Sequence, residues 1–384
     1  MKKFLALLLA MVMVFSLAAC GQKADPPKAS TAPPADTSAP ETEAPEDPEE
    51  TDVPVVADGY EIALVTDVGN IDDKSFNEGT WNGVVEFANS NNKTYAYYRP
   101  SEDSTEARVE AIGTAVEKGA KVIVCPGYMF AETLSIVQNQ YPDVMFLGLD
   151  VAEGDMEVVS ANTALITYQE EQAGYLAGYA AVKDGYTKLG FLGGMAVPAV
   201  IRYGYGFVQG ADDAAAEMDV DVQINYWYGG TFGPSDDVKI KMDGWYTGGT
   251  EVVFACGGGI YISAMQAAEE AGAKLIGVDV DQSAEAELII TSAMKDLAES
   301  TIVALTALFD NGGTWSAEYS GVGSVLGAAE GAVALPTEGD SWRFSTFTID
   351  EYNELFAKLV NNEVEISDAI DAEPEAAIVV DYQA

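Results

Sequence analysis

The chain has 384 residues, 62 of them acidic, 19 basic and none histidine, for a formal net charge of -43. At 48% hydrophobic residues it can bury more than one core, so two domains are expected. The missing histidine removes Ser-His-Asp and Cys-His catalysis and the commonest zinc ligand, and a polyanion such as nucleic acid would be repelled because no basic patch offsets the charge.

Met1-Lys2-Lys3 is a basic start, and Phe4 to Leu17 is an apolar run too short for a comfortable membrane span. Residues 1–19 therefore read as a signal peptide. Leu17-Ala18-Ala19-Cys20 resembles the bacterial lipobox, in which the cysteine receives lipid and becomes the new N-terminus. Residues 20–58 are dominated by Pro, Ala, Thr, Asp and Glu and hold few large apolar side chains. Such a segment cannot offset its ordering entropy by burial, and it reads as a disordered acidic tether between lipid and folded domain. The other two cysteines, Cys125 and Cys256, each end an apolar strand and read as small buried thiols.

From Tyr60 the chain becomes globular. Ile62 to Val65 is a short apolar run suited to a strand buried on both faces. A polar loop, Thr66 to Ser75, follows, and an amphipathic run with Phe76, Trp81, Val84, Val85 and Ala88 predicts a helix, with Asp72 or Asp73 able to accept from its first free amides. In an open α/β sheet ligands sit at the carboxyl ends of the strands, which makes Asp67 and Phe76 site candidates. The loop lacks the glycine spacing of a phosphate cradle and carries three carboxylates.

Strands at 94–98, 121–125 and 144–149 then alternate with helices at 104–118 and 130–140. The series repeats, with strands at 189–192, 222–227, 252–256 and 275–278 and helices at 203–218, 235–246 and 260–271. Residue types repeat too. Gly119 to Gly127 parallels Gly249 to Gly257, and Phe146-Leu147-Gly148-Leu149-Asp150 parallels Leu275-Ile276-Gly277-Val278-Asp279.

Two such lobes enclose a cleft, and Asp67, Asp150 and Asp279 all fall at inward strand ends, although Asp150 could equally cap a local helix. Between the series, Tyr168 to Val182 is a small-residue helix suited to tight packing. A strand or crossover at 289–294, a helix at 295–309, and a tail with a further helix and an apolar strand complete the chain. The fold class is α/β: two doubly wound parallel-sheet lobes, 59–165 with 292–320 and 166–291 with 321–384, joined by a hinge of several crossings.

Several of these segments together resemble the basic membrane protein family: the lipobox, Thr66 to Gly69, Asp72 to Asn77, Glu171 to Gly178, Gly277 to Gln282, and Thr291 to Lys295. Its members are substrate-binding lipoproteins of ABC transporters with a type I periplasmic-binding fold, and those characterised mostly bind purine nucleosides. The resemblance implies that Asp67 contacts a base and Phe76 stacks on it, with Phe232 as the opposing stacker. It further implies that Gly258 brings backbone close to the ligand, that Asp279 with Lys295 holds the ribose hydroxyls, and that Asp150 lies near the sugar or base edge. Trp227 and Met129-Phe130 are expected near the cleft mouth. No catalytic residue, metal or cofactor is expected. The implied partners are a nucleoside, a permease with its ATPase, and a membrane holding a monomer by its lipid on the extracytoplasmic face. A sugar receptor or sensor of the same fold, or an extracellular nucleoside hydrolase using Asp72, Asp73 and a metal, are the alternatives.

Overall fold

The structure is a computed structural model, and it describes residues 60–384. The expected signal peptide, the expected lipid-bearing Cys20 and the tether all lie outside the described residues. Among the described residues no helix is long and apolar enough to cross a membrane.

The first lobe opens with β1 (Ile62–Val65), α1 (Phe76–Ser90), β2 (Tyr95–Tyr98), α2 (Thr105–Glu117), β3 (Val122–Pro126), α3 (Phe130–Gln140), β4 (Met145–Leu149) and β5 (Thr163–Tyr168). The second series runs α4 (Glu170–Lys183), β6 (Lys188–Gly193), α5 (Pro198–Met218), β7 (Gln223–Tyr228), α6 (Asp236–Thr247), β8 (Val252–Cys256), α7 (Tyr261–Ala271), β9 (Lys274–Asp279) and β10 (Ile289–Lys295). The remainder is α8 (Leu297–Asp310), β11 (Gly323–Leu326), β12 (Val333–Ala334), α9 (Ile349–Val360) and β13 (Val379–Tyr382).

These strands form two sheets, ordered β11-β5-β4-β3-β1-β2 and β12-β10-β9-β8-β6-β7-β13. Every pairing is parallel except β10 with β12. Helices cover both faces, so β1, β3, β4 and β8 are buried at every residue, as their unbroken apolar runs require. Equivalent serines start equivalent helices: Ser104 Oγ accepts from the Ala107 amide at the head of α2, and Ser235 Oγ from the Val238 amide at the head of α6, 3.2 Å each.

The chain crosses between lobes three times, after β5, after β10 and after β11. The lobe limits therefore differ from those read off the sequence. A boundary at 291/292 would cut β10, which pairs with β9 along its length, and one at 320/321 would assign β11 to the second lobe although it pairs with β5. A boundary at 165/166 falls within β5. Crossover strands of four to seven residues carry too little periodicity to show which sheet they join.

Helix α8 returns to the first lobe and packs on α1, where Phe87 and Phe309 stack with ring centroids 5.4 Å apart. Helix α4 seats on α5 through glycines of both helices. A Cβ on Gly174 or Gly178 would overlap the Tyr203 or Phe207 carbonyl oxygen, and one on Gly206 or Gly210 would overlap that of Glu171 or Tyr175. The small-residue pattern thus sets the backbone distance at the hinge.

Candidate functional site

The carboxyl ends of both sheets face one cavity between the lobes. All seven residues singled out from the sequence line it: Asp67, Phe76 and Asp150 from the first lobe, and Phe232, Gly258, Asp279 and Lys295 from the second. Asn77, Met129, Val197, Val200 and Tyr203 line it as well. Phe130 does not; it is fully buried in the first-lobe core, and Trp227, half-buried, packs against the second-lobe core with the Lys241 ammonium 5.1 Å from its ring centroid.

The first-lobe wall is built by its loop. Asp73 accepts from the amides of Ser75, Asn77 and Glu78 at 2.9, 3.1 and 3.1 Å, so it, rather than the exposed Asp72, caps α1. The Asn77 side-chain amide spends its two N–H groups on Asp67 and Asp73, 3.0 Å each. Its Oδ1 has no partner among the described residues. Asp67 also accepts from the Gly69 amide at 2.8 Å. Burial dominates both carboxyls: Asp67 is raised above the ordinary range and Asp73 is pushed up to about 6, against the pull of these donors.

Asp150 follows β4 and Asp279 ends β9, and both adopt left-handed backbone, φ 58° and 65°. Gly127 and Gly257, likewise equivalent, have φ 119° and 139°. Left-handed aspartates at matched positions turn both carboxylates inward at a cost of about 1–3 kcal/mol each, a pattern of strain that clusters at functional sites. Asp150 is therefore not the helix cap that its strand-end position also allowed. Phe232 rests on glycine: a Cβ at Gly257 would stand 3.0 Å from its ring, and one at Gly258 would stand 2.8 Å from its carbonyl oxygen.

Lys295 ends β10 and reaches into this group. Its ammonium donates to Asp150 Oδ2 at 2.7 Å and Glu170 Oε1 at 3.2 Å, whereas Asp279 Oδ1 lies 4.0 Å away. The pairing of Lys295 with Asp279 expected from the sequence is thus secondary. Asp279 instead accepts from Ser75 Oγ across the cleft at 2.6 Å. Rings of Phe76, Tyr168 and Tyr203 surround the ammonium, with centroids 4.7, 5.2 and 5.5 Å away.

Glu170, the first residue of α4 and fully buried, also takes the Arg202 guanidinium at 2.6 Å. Burial pushes Asp150 up to about 7 and raises Asp279, outweighing Lys295 in both cases. Burial also opposes the charge on Lys295, but the three carboxylates overcome it and hold the ammonium above its usual value. Glu170 moves the other way, because Lys295 and Arg202 together overcome its burial. Asp150 Oδ1 keeps no partner among the described residues.

The arrangement offers unpaired acceptors, two aromatic rings from opposite lobes and one buried cation. It suits a neutral ligand with N–H and O–H donors, since an anion would meet carboxylates on both walls. Glu170, Arg202 and Tyr203 escape sequence reasoning. The signal for two of them is Pro198 at the first helical position, which starts α5 a full turn before Tyr203 and brings its first turns to the cleft. Glu170 stands one residue outside the Glu171 to Gly178 motif.

A family model described as ABC transporter substrate-binding protein, PnrA-like, matches residues 61–369. Basic membrane protein A1 of Borrelia garinii subsp. bavariensis is 32% identical over 245 residues, 62% of this chain and 69% of the relative. The ABC transporter nucleoside-binding protein BmpA of Lactococcus lactis subsp. cremoris is 27% identical over 263 residues, 65% of this chain and 71% of the relative. A crystal structure of an ABC transporter solute-binding protein from Aeropyrum pernix superposes with a TM-score of 0.71 at 20% identity, covering 81% of this chain and 94% of that one, and so shares the fold. Two parallel-sheet lobes, a cleft at their strand ends and the match over residues 61–369 lead to one conclusion: the chain belongs to the Bmp family of PnrA-like ABC transporter substrate-binding proteins.

Proposed function

We propose that the protein is a lipid-anchored extracytoplasmic receptor that binds a purine nucleoside between its lobes, without turnover, and delivers it to a permease. The observation that carries this reading is that Phe76 and Phe232 come from opposite lobes to one cavity, with Asp67, Asp150 and Asp279 as acceptors beside them. Stacking contributes about 1–3 kcal/mol per base and tolerates any purine, while the carboxylates discriminate by accepting N–H and O–H donors. Asp67 would meet the base, Asp279 the ribose hydroxyls, Gly258 would let backbone approach, and Lys295 would hold Asp150 and Asp279 ready. The nucleoside-binding name of the Lactococcus relative agrees with this ligand class.

A hydrolase built on Asp72 and Asp73 fits less well, since Asp73 is engaged by three backbone amides and Asp72 faces solvent. Calorimetric titration of ligand-stripped protein with adenosine, guanosine, inosine, uridine, cytidine, ribose and glucose tests the proposal. Tight binding of purine nucleosides with no release of free base is expected. Binding of sugars alone would replace the ligand class, and free base in the cell would make the protein an enzyme.

A further inference from the structure

Gln282 lies outside the cavity lining and is 1% exposed, yet its side chain bridges the two lobes. Its Oε1 accepts from the Val278 amide of β9 at 3.1 Å, and its Nε2 donates to the Lys74 carbonyl oxygen at 2.8 Å. Lys74 belongs to the first lobe, has φ 54°, and immediately precedes Ser75 and Phe76. The carboxamide therefore grips the loop that carries one aromatic wall of the site. Gly277 makes room for it, because a Cβ there would overlap Oε1.

The support beneath Gln282 is rigid. Its own amide donates to Ser292 Oγ at 3.0 Å, tying it to β10. Arg343 donates to the carbonyls of Ser283, Ala286 and Ile289 at 3.0, 2.7 and 2.9 Å, which fastens the loop after β9 to the second lobe. A bond from such a support to the opposite lobe exists only when the lobes are closed. The neighbouring bond from Ser75 to Asp279 also spans the cleft, but Asp279 lines the cavity and Gln282 does not, so substituting Gln282 separates closure from direct contact with a ligand.

We propose that Gln282 is a positioning residue that latches the closed form: it touches no ligand, and it sets how long a captured ligand is held. The inference rests on the receptor reading of the cleft. A ligand that enters the open form meets no latch, so the association rate is independent of Gln282. Escape requires the latch to open, so the dissociation rate depends on it.

Two variants test this. Gln282→Met keeps the shape and removes the donor. Gln282→Glu keeps the acceptor for the Val278 amide and, ionised at pH 8, removes the donor to Lys74; protonated at low pH it donates again. Stopped-flow tryptophan fluorescence with adenosine and guanosine is expected to show dissociation about tenfold faster for both variants at pH 8, with association within about twofold of wild type. Acidification should slow dissociation more in Gln282→Glu than in wild type. X-ray scattering of the ligand-free proteins should give a larger mean radius of gyration for the variants, because bonds between protein atoms favour closure without ligand. Unchanged dissociation in both variants, or slower association alone, would overturn the latch. Should wild type bind neither nucleoside, the ligand reading fails separately, and scattering decides the latch: equal radii of gyration would overturn it.

Discussion

Replacing Lys295 by methionine removes the single ammonium among Asp150, Glu170 and Asp279. At an effective dielectric of about 20, unit charges at the observed 2.7, 3.2 and 4.0 Å attract by about 6, about 5 and about 4 kcal/mol. Desolvation of the ammonium and repulsion among the carboxylates offset most of that sum. Breaking one buried pair of this kind costs about 3–5 kcal/mol, because the remaining charge is left uncompensated. Arg202 still faces Glu170, and Ser75 still donates to Asp279, so the loss falls mainly on Asp150, which keeps no other donor.

The pH dependence follows from Asp150, which burial already pushes up to about 7. Without Lys295 that value rises further. The native state of the variant then holds a proton that the unfolded chain releases above its ordinary carboxyl range, so the variant regains stability as pH falls. Urea unfolding of Lys295→Met should therefore show a loss of about 3–5 kcal/mol at pH 8 that shrinks at pH 5. A loss below about 1 kcal/mol at pH 8, the size of an exposed pair, would refute the argument, as would the same loss at both pH values.

Glu171 is buried with one carboxylate oxygen lacking a hydrogen bond among the described residues, although Arg202 Nε lies 4.0 Å from it, and burial pushes the carboxyl up to about 8. Its folded value lies above its unfolded one, so the native state binds the extra proton and stability falls as pH rises from the ordinary Glu range to about 8; Glu171→Gln should raise the melting temperature at pH 8 by clearly more than at pH 5. A Cβ on Gly206 would overlap the Glu171 carbonyl oxygen, so Gly206→Ala should cost about 3 kcal/mol or more in denaturant unfolding. Gly244, in α6 with nothing within 4 Å of its would-be Cβ, should gain about 0.5–1 kcal/mol as alanine in the same assay. Phe232→Leu should weaken purine nucleoside binding by about 1–3 kcal/mol, or about 5- to 150-fold by titration, with melting unchanged.

Much of this architecture is legible in the sequence because parallel strands buried on both faces appear as unbroken apolar runs. Ile62 to Val65 and Val252 to Cys256 are such runs, and every residue of β1 and β8 is buried. The repeat also announces the matched strand ends, since Asp150 and Asp279 share a left-handed backbone that a run of residue types foreshadows. The hinge is less legible. Strands β5, β10 and β11 are crossovers whose sheet membership depends on partners far along the chain.

Charge pairing is the least legible level. Nearness in motif suggests Asp279 for Lys295, but the ammonium sits beside the crossings after β5 and β10 and takes Asp150 from one lobe and Glu170 from the head of α4. Asn77 shows the same limit: its position after Phe76 is plain, but its bonds to Asp67 and Asp73 depend on how the loop folds back on itself.

The most direct test is a crystal structure of the ligand-stripped protein soaked or grown with a purine nucleoside. The account predicts the base between Phe76 and Phe232 with a ring edge on Asp67, and the ribose hydroxyls within hydrogen-bond distance of Asp279. A nucleoside bound outside this cavity, or with its base away from both phenylalanines, would contradict it.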